Sequence, residues 1–395
     1  MREHEAPGVY VEAAGFQSKP IMGVSTSSAA FVGFTLRGKL AATAAPRELT
    51  SFAGFEKSFG GLADLNYPPQ INYVAHAARA FFNEGGQRLY VARVRRPKAA
   101  TNGALKDWQG ALDALSALTN VSIVAVPGST ELGPLADAIQ SQLIAHVEAP
   151  GRYRFAVFDI PKGKSPSEAA AYRLRFDSKS AAFYYPWVTV PNPIASPANP
   201  GLPKTLNLPP SGFICGIYAR SDIARGVFKA PANEPVRGAI GFERAITDPE
   251  QQSLNPAGVN CLRYFPGSGC RVWGARTAAS DPEWKYVNVR RCFIYLEQSI
   301  DRGTQWAVFE PNDERLWAGV RASVSDFLHR EWTRGALPGA KPEEAFFVRC
   351  DRTTMTQDDL DNGRLICLIG VALVKPAEFV IFRIGQWTAD RKSDP

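Results

Sequence analysis

Histidine, cysteine and methionine are scarce in this 395-residue chain, at four, six and three copies. No CxxC occurs, and the closest cysteines, Cys261 and Cys270, have eight residues between them, Arg263 and aromatics included. A structural zinc site needs clustered sulfur or nitrogen ligands, so the cysteines at 215, 261, 270, 292, 350 and 367 are expected to be small buried hydrophobes. His4, His76, His146 and His329 lie far apart in sequence. Long apolar runs are missing as well. The longest, 365–374, has ten residues before Lys375, half of the roughly 20 a bilayer span needs, so no direct membrane insertion is expected. The first eight residues carry two acids and a Pro-Gly turn but no apolar stretch. That predicts no secretory signal and synthesis in a cytoplasm. No run of Lys and Arg amounts to a basic tail. The net charge of +7, from 45 basic against 38 acidic residues, is dispersed as single arginines or pairs such as Arg95-Arg96 and Arg290-Arg291. It favours acidic partners. A nucleic-acid-binding or other basic interaction protein is one reading; binding to a protein surface of opposite sign is another.

What is present is an ordinary globular composition, 45% hydrophobic and 21% charged, in a chain long enough for two or three domains. Residues 1–25 contain Pro7, Gly8, Pro20 and Gly23 around a short strand at 9–12 and read as an extended arm. A buried strand at 29–34, a short helix at 49–59 capped by Thr50 or Ser51, a helix at 71–83 ended by Gly85-Gly86, and a strand at 88–94 follow. Helices at 105–118, 135–147 and 167–175 alternate with strands at 121–126, 155–159 and 182–190, the pattern of a small α/β unit with a largely parallel sheet. Seven prolines between 191 and 210 predict a stiff linker. In the C-terminal half a helix starting at 221–225, an amphipathic helix at 287–300 and a short strand at 306–309 are expected. Asn312 should cap a helix ending near Gly335, and strands at 346–349 and 365–374 should follow. Residues 379–384 are apolar on both faces and need a partner sheet, in this chain or a neighbour. The expected partition is therefore 1–25, 26–96, 97–210, 211–376 and 377–395.

No constellation for catalysis, metal or cofactor emerges. Gly33 to Leu40 matches GxxxxGK but has Leu40 where a phosphate loop needs Ser or Thr, and reads as a strand end and turn. Residues 265–269 resemble a nucleophile elbow with Pro266 in place of the first Gly. Residues 358–363 put Leu360 where a calcium loop needs an oxygen ligand, and read as a helix start and a Gly turn. Arg290 and Arg291 read as a solvated helix face or as partners of Glu297 or Asp301.

Several ordered stretches resemble contractile tail sheath proteins. They include Pro7 to Glu12, Pro20 to Ser27, Ala29 to Gly33, and Phe81 to Gly86 running into Leu89 to Val94. In the second half they include Lys229 to Asn233, Leu254 to Asn260, Arg271 to Thr277, Asn288 to Arg291, Phe309-Glu310-Pro311-Asn312, and Asp358 to Arg364. The resemblance covers most of the chain and is weakest over 97–205. It implies an α+β or α/β multi-domain sheath fold. A conserved α+β domain would be built from N- and C-terminal parts, with an inserted α/β domain and extended terminal arms. It further implies a structural, non-enzymatic subunit without cofactor. Such a subunit polymerises as a six-stranded helical sheath around an inner tube and contracts to drive the tube through a target envelope. The implied partners are further copies, the inner tube protein, baseplate and terminator or cap proteins, and paralogous sheath subunits. The setting would be a phage tail or a released extracellular particle. The arms would add strands to neighbours' sheets through Val9, Tyr10 and Val11 and through Phe379, Val380, Ile381, Phe382 and Ile384. Each backbone hydrogen bond would add about 0.5–1.5 kcal/mol, and each of Val380, Phe382 and Ile384 roughly 1.5–3 kcal/mol on burial. The helix at 313–334 would face an acidic tube with Arg321, Arg330 and Arg334, or else spend those arginines on pairs within or between sheath subunits.

Overall fold

The computed structural model describes residues 19–66, 70–96, 102–197 and 200–381, with only the backbone at 102–104. The chain opens with β1 (Ala29–Gly33), β2 (Arg47–Leu49), α1 (Phe52–Phe59), α2 (Tyr73–Glu84) and β3 (Leu89–Arg93). Next come α3 (Asn102–Ser116), β4 (Ile123–Ala125), α4 (Ala136–Glu148), β5 (Phe155–Asp159), α5 (Pro166–Arg173) and β6 (Ala181–Tyr185). They are followed by β7 (Val188–Pro191), β8 (Thr205–Leu208), α6 (Ser211–Arg225), β9 (Gly241–Phe242), α7 (Asp248–Leu254), β10 (Val259–Phe265) and β11 (Gly269–Trp273).

One eight-stranded sheet has the order β11-β10-β6-β5-β4-β1-β3-β2. Its six central strands run parallel, and β11 and β2 are antiparallel edges. Side chains alternate across it as the pleat requires. Ala29, Phe31, Leu89, Val91 and Phe155 face α1, α2 and α6. Ala30, Val32, Tyr90, Ala92 and Phe158 face α3, α4 and α5. Covered on both sides, β1, β5 and β6 are buried at every position, hence their near-continuous apolar sequence. Local signals agree with the packing. Ser51 caps α1, and Asn72 caps α2, which Gly85 ends at φ 106°. Helix α6 lies close on α2 because Gly212 and Gly216 have no Cβ; one would meet Ala77 Cα at 2.5 Å and the Phe81 carbonyl at 2.7 Å.

The C-terminal part contains α8 (Val287–Gly303), α9 (Glu314–Thr333), α10 (Pro342–Ala345), β12 (Phe346–Arg349), α11 (Gln357–Asp361) and β13 (Leu368–Val371). Cys292 and Leu296 of α8 and Trp317, Val320 and Phe327 of α9 form a third apolar cluster that also takes in Ile21. Among the described residues, strands β12 and β13 pair only with each other, as a separate two-stranded sheet.

Several expectations are corrected. Strands from 26–96, 97–210 and 211–376 all enter the large sheet, so the boundaries at 96 and 210 do not separate independent cores. The reason is pairing: β10 lies parallel to β6, and its Val259 and Cys261 fill the same face as Phe158 and Phe183. The proline-rich stretch is not a spacer, because β8 folds back on β7 with Val188 opposite Leu208. Residues 221–225 end a helix rather than start one. Gly212 and Gly216 weaken the local helix signal that packing on α2 overrides. Residues 305–307 form a 3₁₀ turn where a strand was expected. Asp313, not Asn312, caps α9 by accepting from Leu316 N–H, while Asn312 accepts from Trp317 Nε1.

The fold also closes the site where open parallel sheets bind nucleotides, the point at which strand order reverses. Here that point lies between β1 and β4. Gly33, Phe34, Tyr73, Trp108 and Gly128 line it and leave about 10 Å³, room for one water at most. The Gly33 to Leu40 stretch is therefore a strand end and a turn, with Gly38 at φ 110°.

Candidate functional site

The residues that leave the folded body at either end are held by charged and polar side chains gathered around α8. At the N-terminal side, Ile21 is buried in the third cluster, and its carbonyl accepts from Arg330 Nη2 at 2.7 Å. Gly23 packs against Tyr295, whose hydroxyl would lie 2.1 Å from any Cβ there, so the chain passes α8 closely only because that residue is glycine. Val24 N–H donates to Ser299 Oγ at 3.1 Å. Thr26 Oγ1 donates to Asp222 Oδ2 at 2.6 Å, and the Thr26 carbonyl accepts from Arg291 Nη2 at 3.0 Å. Arg291 and Asp222 form a two-bond pair at 2.9 and 2.7 Å, with both side chains 3% exposed. Burial opposes the Arg291 charge, but Asp222 outweighs it and holds the guanidinium above its ordinary value. Arg291 also lies over the Tyr218 ring, 4.6 Å from its centroid.

At the C-terminal side, Asn288 Nδ2 donates to the carbonyls of Phe228 and Val374 at 2.8 and 3.0 Å. Four residues further, Glu378 is gripped on both oxygens. Arg276 Nε and Nη2 donate to them at 2.8 Å each, Asn255 Nδ2 at 2.8 Å and Tyr286 Oη at 3.0 Å, with Lys285 Nζ at 3.6 Å. Burial pushes the Glu378 carboxyl up, but the Arg276 and Asn255 hydrogen bonds prevail and hold it at about 2. Immediately after this clamp, Phe379, Val380 and Ile381 are 70%, 68% and 80% exposed and pair with no strand among the described residues.

These contacts position chain segments on either side of α8. Among the described residues no group of three His, Cys, Asp or Glu side chains could hold a metal ion, and no helix is long and apolar enough to cross a membrane.

Comparison with known proteins decides what such anchored ends belong to. Family models for the phage tail sheath protein central domain and the phage tail sheath C-terminal domain match residues 100–278 and 279–386. The helical sheath of the anti-feeding prophage (AFP) in its contracted state is 32% identical, with a TM-score of 0.78 over 97% of this chain and 100% of that one. The chain belongs to the tail sheath family. The sheath of PVC, an extracellular contractile injection system, solved in its contracted state, is 28% identical, with a TM-score of 0.77 over 99% of this sheath chain and 100% of its own. The tail sheath protein of Burkholderia phage BcepMu is 27% identical over 288 residues, 70% of this chain. The prophage major tail sheath protein of Pseudomonas aeruginosa (strain UCBPP-PA14) is 27% identical over 245 residues, 60% of this chain. The matches cover 56% and 59% of those two relatives, so the sheath chain spans just over half their length. The nucleic-acid alternative finds no support among these relatives. The sheath fold is a mixed helix-and-sheet one, as the resemblance implied.

The sequence-based site residues fare unevenly. Val9, Tyr10, Val11, Phe382 and Ile384 lie outside the described residues. Phe379, Val380 and Ile381 follow the Glu378 clamp, are exposed and enter no sheet among the described residues. Arg321 and Arg330 on α9 and Arg334 at its C-terminal cap are surface residues, each with an acceptor inside the chain. Those acceptors are the Cys350 carbonyl at 3.2 Å, the Ile21 carbonyl at 2.7 Å and Glu331 at 2.9 Å. Arg330 thus holds the N-terminal root. Arg290 meets Glu297 at 3.5 Å, as its spacing suggested. Arg291, expected on a solvated face or paired with Glu297 or Asp301, is instead buried against Asp222, and Asp222, Arg276 and Glu378 were missed as functional groups. Their pairings span 69 and 102 residues, which no local pattern encodes.

Proposed function

We propose that this chain is a structural sheath subunit that polymerises into a helical tube of identical copies and contracts around an inner tube. The observation that carries the reading is the state of β12 and β13. A two-stranded sheet is marginal alone. This one keeps both outer edges unpaired among the described residues, with Phe347, Leu368 and Ile369 exposed at 51%, 50% and 36%. Segments 9–11 and 379–384 of neighbouring copies are the complementary strands, and adding them supplies backbone partners and covers apolar surface together. The clamps at Asp222–Arg291 and Glu378 then let the arms stay attached while subunit bodies rotate. Partition into arms at 1–25 and 377–395 and a body between them follows from this reading.

Contact with an acidic inner tube is assigned to α9, through Arg321, Arg330 and Arg334. Beside its start, Val308 and Phe309 are 58% and 102% exposed, and Phe309 has φ 67°, a conformation non-glycine residues adopt rarely. Baseplate, terminator and paralogous sheath proteins would dock at the ends of such a tube, in a phage tail or a released particle assembled in a bacterial cytoplasm. No catalytic step is part of this function; the work is stored in the lattice at assembly.

Electron microscopy of the purified chain, with and without its inner-tube protein, tests the reading. Hollow striated tubes are expected, and deletion of 1–20 or 377–395 should leave folded monomers that form none. Normal tubes from either truncation refute the arm assignment. Charge reversal at Arg321 and Arg334, which do not hold the N-terminal root, should disrupt sheaths on the tube and spare contracted ones; equal loss of both refutes the tube contact.

A further inference from the structure

The two-stranded sheet ends in a pair of cysteines. Cys350 directly follows β12 and Cys367 directly precedes β13, and the ladder runs from Phe346 opposite Val371 to Arg349 opposite Leu368. The next step of that register sets Cys350 opposite Cys367. Antiparallel pairs alternate between hydrogen-bonded and non-hydrogen-bonded sites. Ala372 N–H donates to the Ala345 carbonyl at 2.8 Å, which makes 345/372 a bonded site. Five steps on, 350/367 is then a non-bonded one, where facing Cα atoms lie about 4.5 Å apart. That falls inside the roughly 4.4–6.8 Å a disulfide spans. Both thiols are free; Cys350 is buried and Cys367 half-buried, and each shifts the ionisation of the other, Cys350 down and Cys367 up.

We propose that Cys350 and Cys367 are an oxidisable dithiol site whose disulfide bolts β13 to β12 when the chain meets a small disulfide oxidant such as glutathione disulfide. Cys367, the more accessible thiol, attacks one sulfur of the oxidant as its thiolate and releases one glutathione. The Cys350 thiolate then attacks Cys367 Sγ and releases the second. Two protons leave, and two electrons pass to the oxidant. Accessibility sets this order, because Cys350 is buried and Cys367 is half-buried. The bridge closes the 350–367 loop, which contains α11, and fixes the strand from which the C-terminal root begins. The chemistry is independent of the arm reading; only its consequence for a lattice rests on it. A sheath that leaves a reducing compartment would close the bond on release.

The test holds the folded full-length chain in glutathione disulfide, blocks residual thiols in acid, and digests with trypsin without reductant. The tripeptide 350–352 should appear linked to the peptide 365–383, lighter than the two reduced peptides together by about 2 Da, the mass of the two hydrogens removed. Cys350→Ser should abolish that species, and Cys215→Ser should not. The oxidised chain should also unfold at higher urea than the reduced one. Recovery of both peptides alkylated, or each capped by glutathione, overturns the site. Formation of the link only after denaturant is added does so too, and an unchanged or lower urea midpoint overturns its fastening role.

Discussion

Replacing Glu378 with glutamine removes one charge and leaves the shape of the side chain intact. The carboxyl of Glu378 is held at about 2 against an ordinary 4.5, and its side chain is 18% exposed. That gap corresponds to roughly 300-fold in the ratio of clamped to released chain at neutral pH, or about 3 kcal/mol. Chymotrypsin can cut after Phe379 only when Glu378 leaves Arg276, since a bound substrate needs several extended residues on each side of the cut. When reclosing outpaces cleavage, the rate follows the released population. Glu378→Gln should therefore be cut about two orders of magnitude faster at pH 7. The pH dependence follows from a depressed carboxyl. The released chain takes up its proton first, near 4.5, so the clamp is at full strength above that pH and weakens as pH falls towards 2. With pepsin, wild-type cleavage should approach that of the variant across this window. Rates within twofold at neutral pH, or a constant ratio down to pH 2, would show that Glu378 does not fix the C-terminal root.

Arg291→Met leaves Asp222 buried without its partner and should cost about 3–5 kcal/mol in urea unfolding. The double variant Arg291→Met/Asp222→Leu should recover most of that loss, and an equal or larger loss would refute the ion-pair account. Burial, and then Arg79, holds His76 down at about 4 from an ordinary 6.5. The unfolded chain protonates first, so this contribution is complete above pH 6.5 and about 3 kcal/mol is lost as pH falls to 4. His76→Gln should flatten the urea midpoint over that range, and an unchanged slope would exclude His76 as its source.

The alternation of strand and helix between 97 and 190 was readable because each strand there is covered on both faces and each helix has one apolar stripe. Caps were readable for the same local reason. Ser51 and Gly85 act within four residues of the elements they bound. Sheet membership was not readable. Nothing local to 259–265 says that it will lie beside β6 rather than in a sheet of its own; only the shared apolar face does. Helix α6 was missed because two glycines that permit close packing also depress helix propensity. The anchors were missed because their partners are brought together by topology. Family resemblance supplied the function that composition and spacing alone left open.

Those anchors converge on one helix. Asn288 of α8 holds Val374, Arg291 holds Thr26, and Ser299 holds Val24. Positions 288 and 291 are three apart and so project from one side of a helix, which brings the two roots within a single turn of each other. On the proposed arm reading, tension arriving through one arm would pass to the other across side chains of α8, supported by α9 through Tyr295 and Glu331 at 3.1 Å. It does not have to cross the large sheet. In a contracting lattice this separates two demands. The arm-to-arm connection must not yield, while the faces of the body must release one set of neighbours and accept another. A buried ion pair suits the first demand, because opening it exposes charges with no partner. Surface arginines such as Arg321 and Arg334, whose internal acceptors lie away from the roots, suit the second, because each can exchange a solvated bond for one across an interface at little cost.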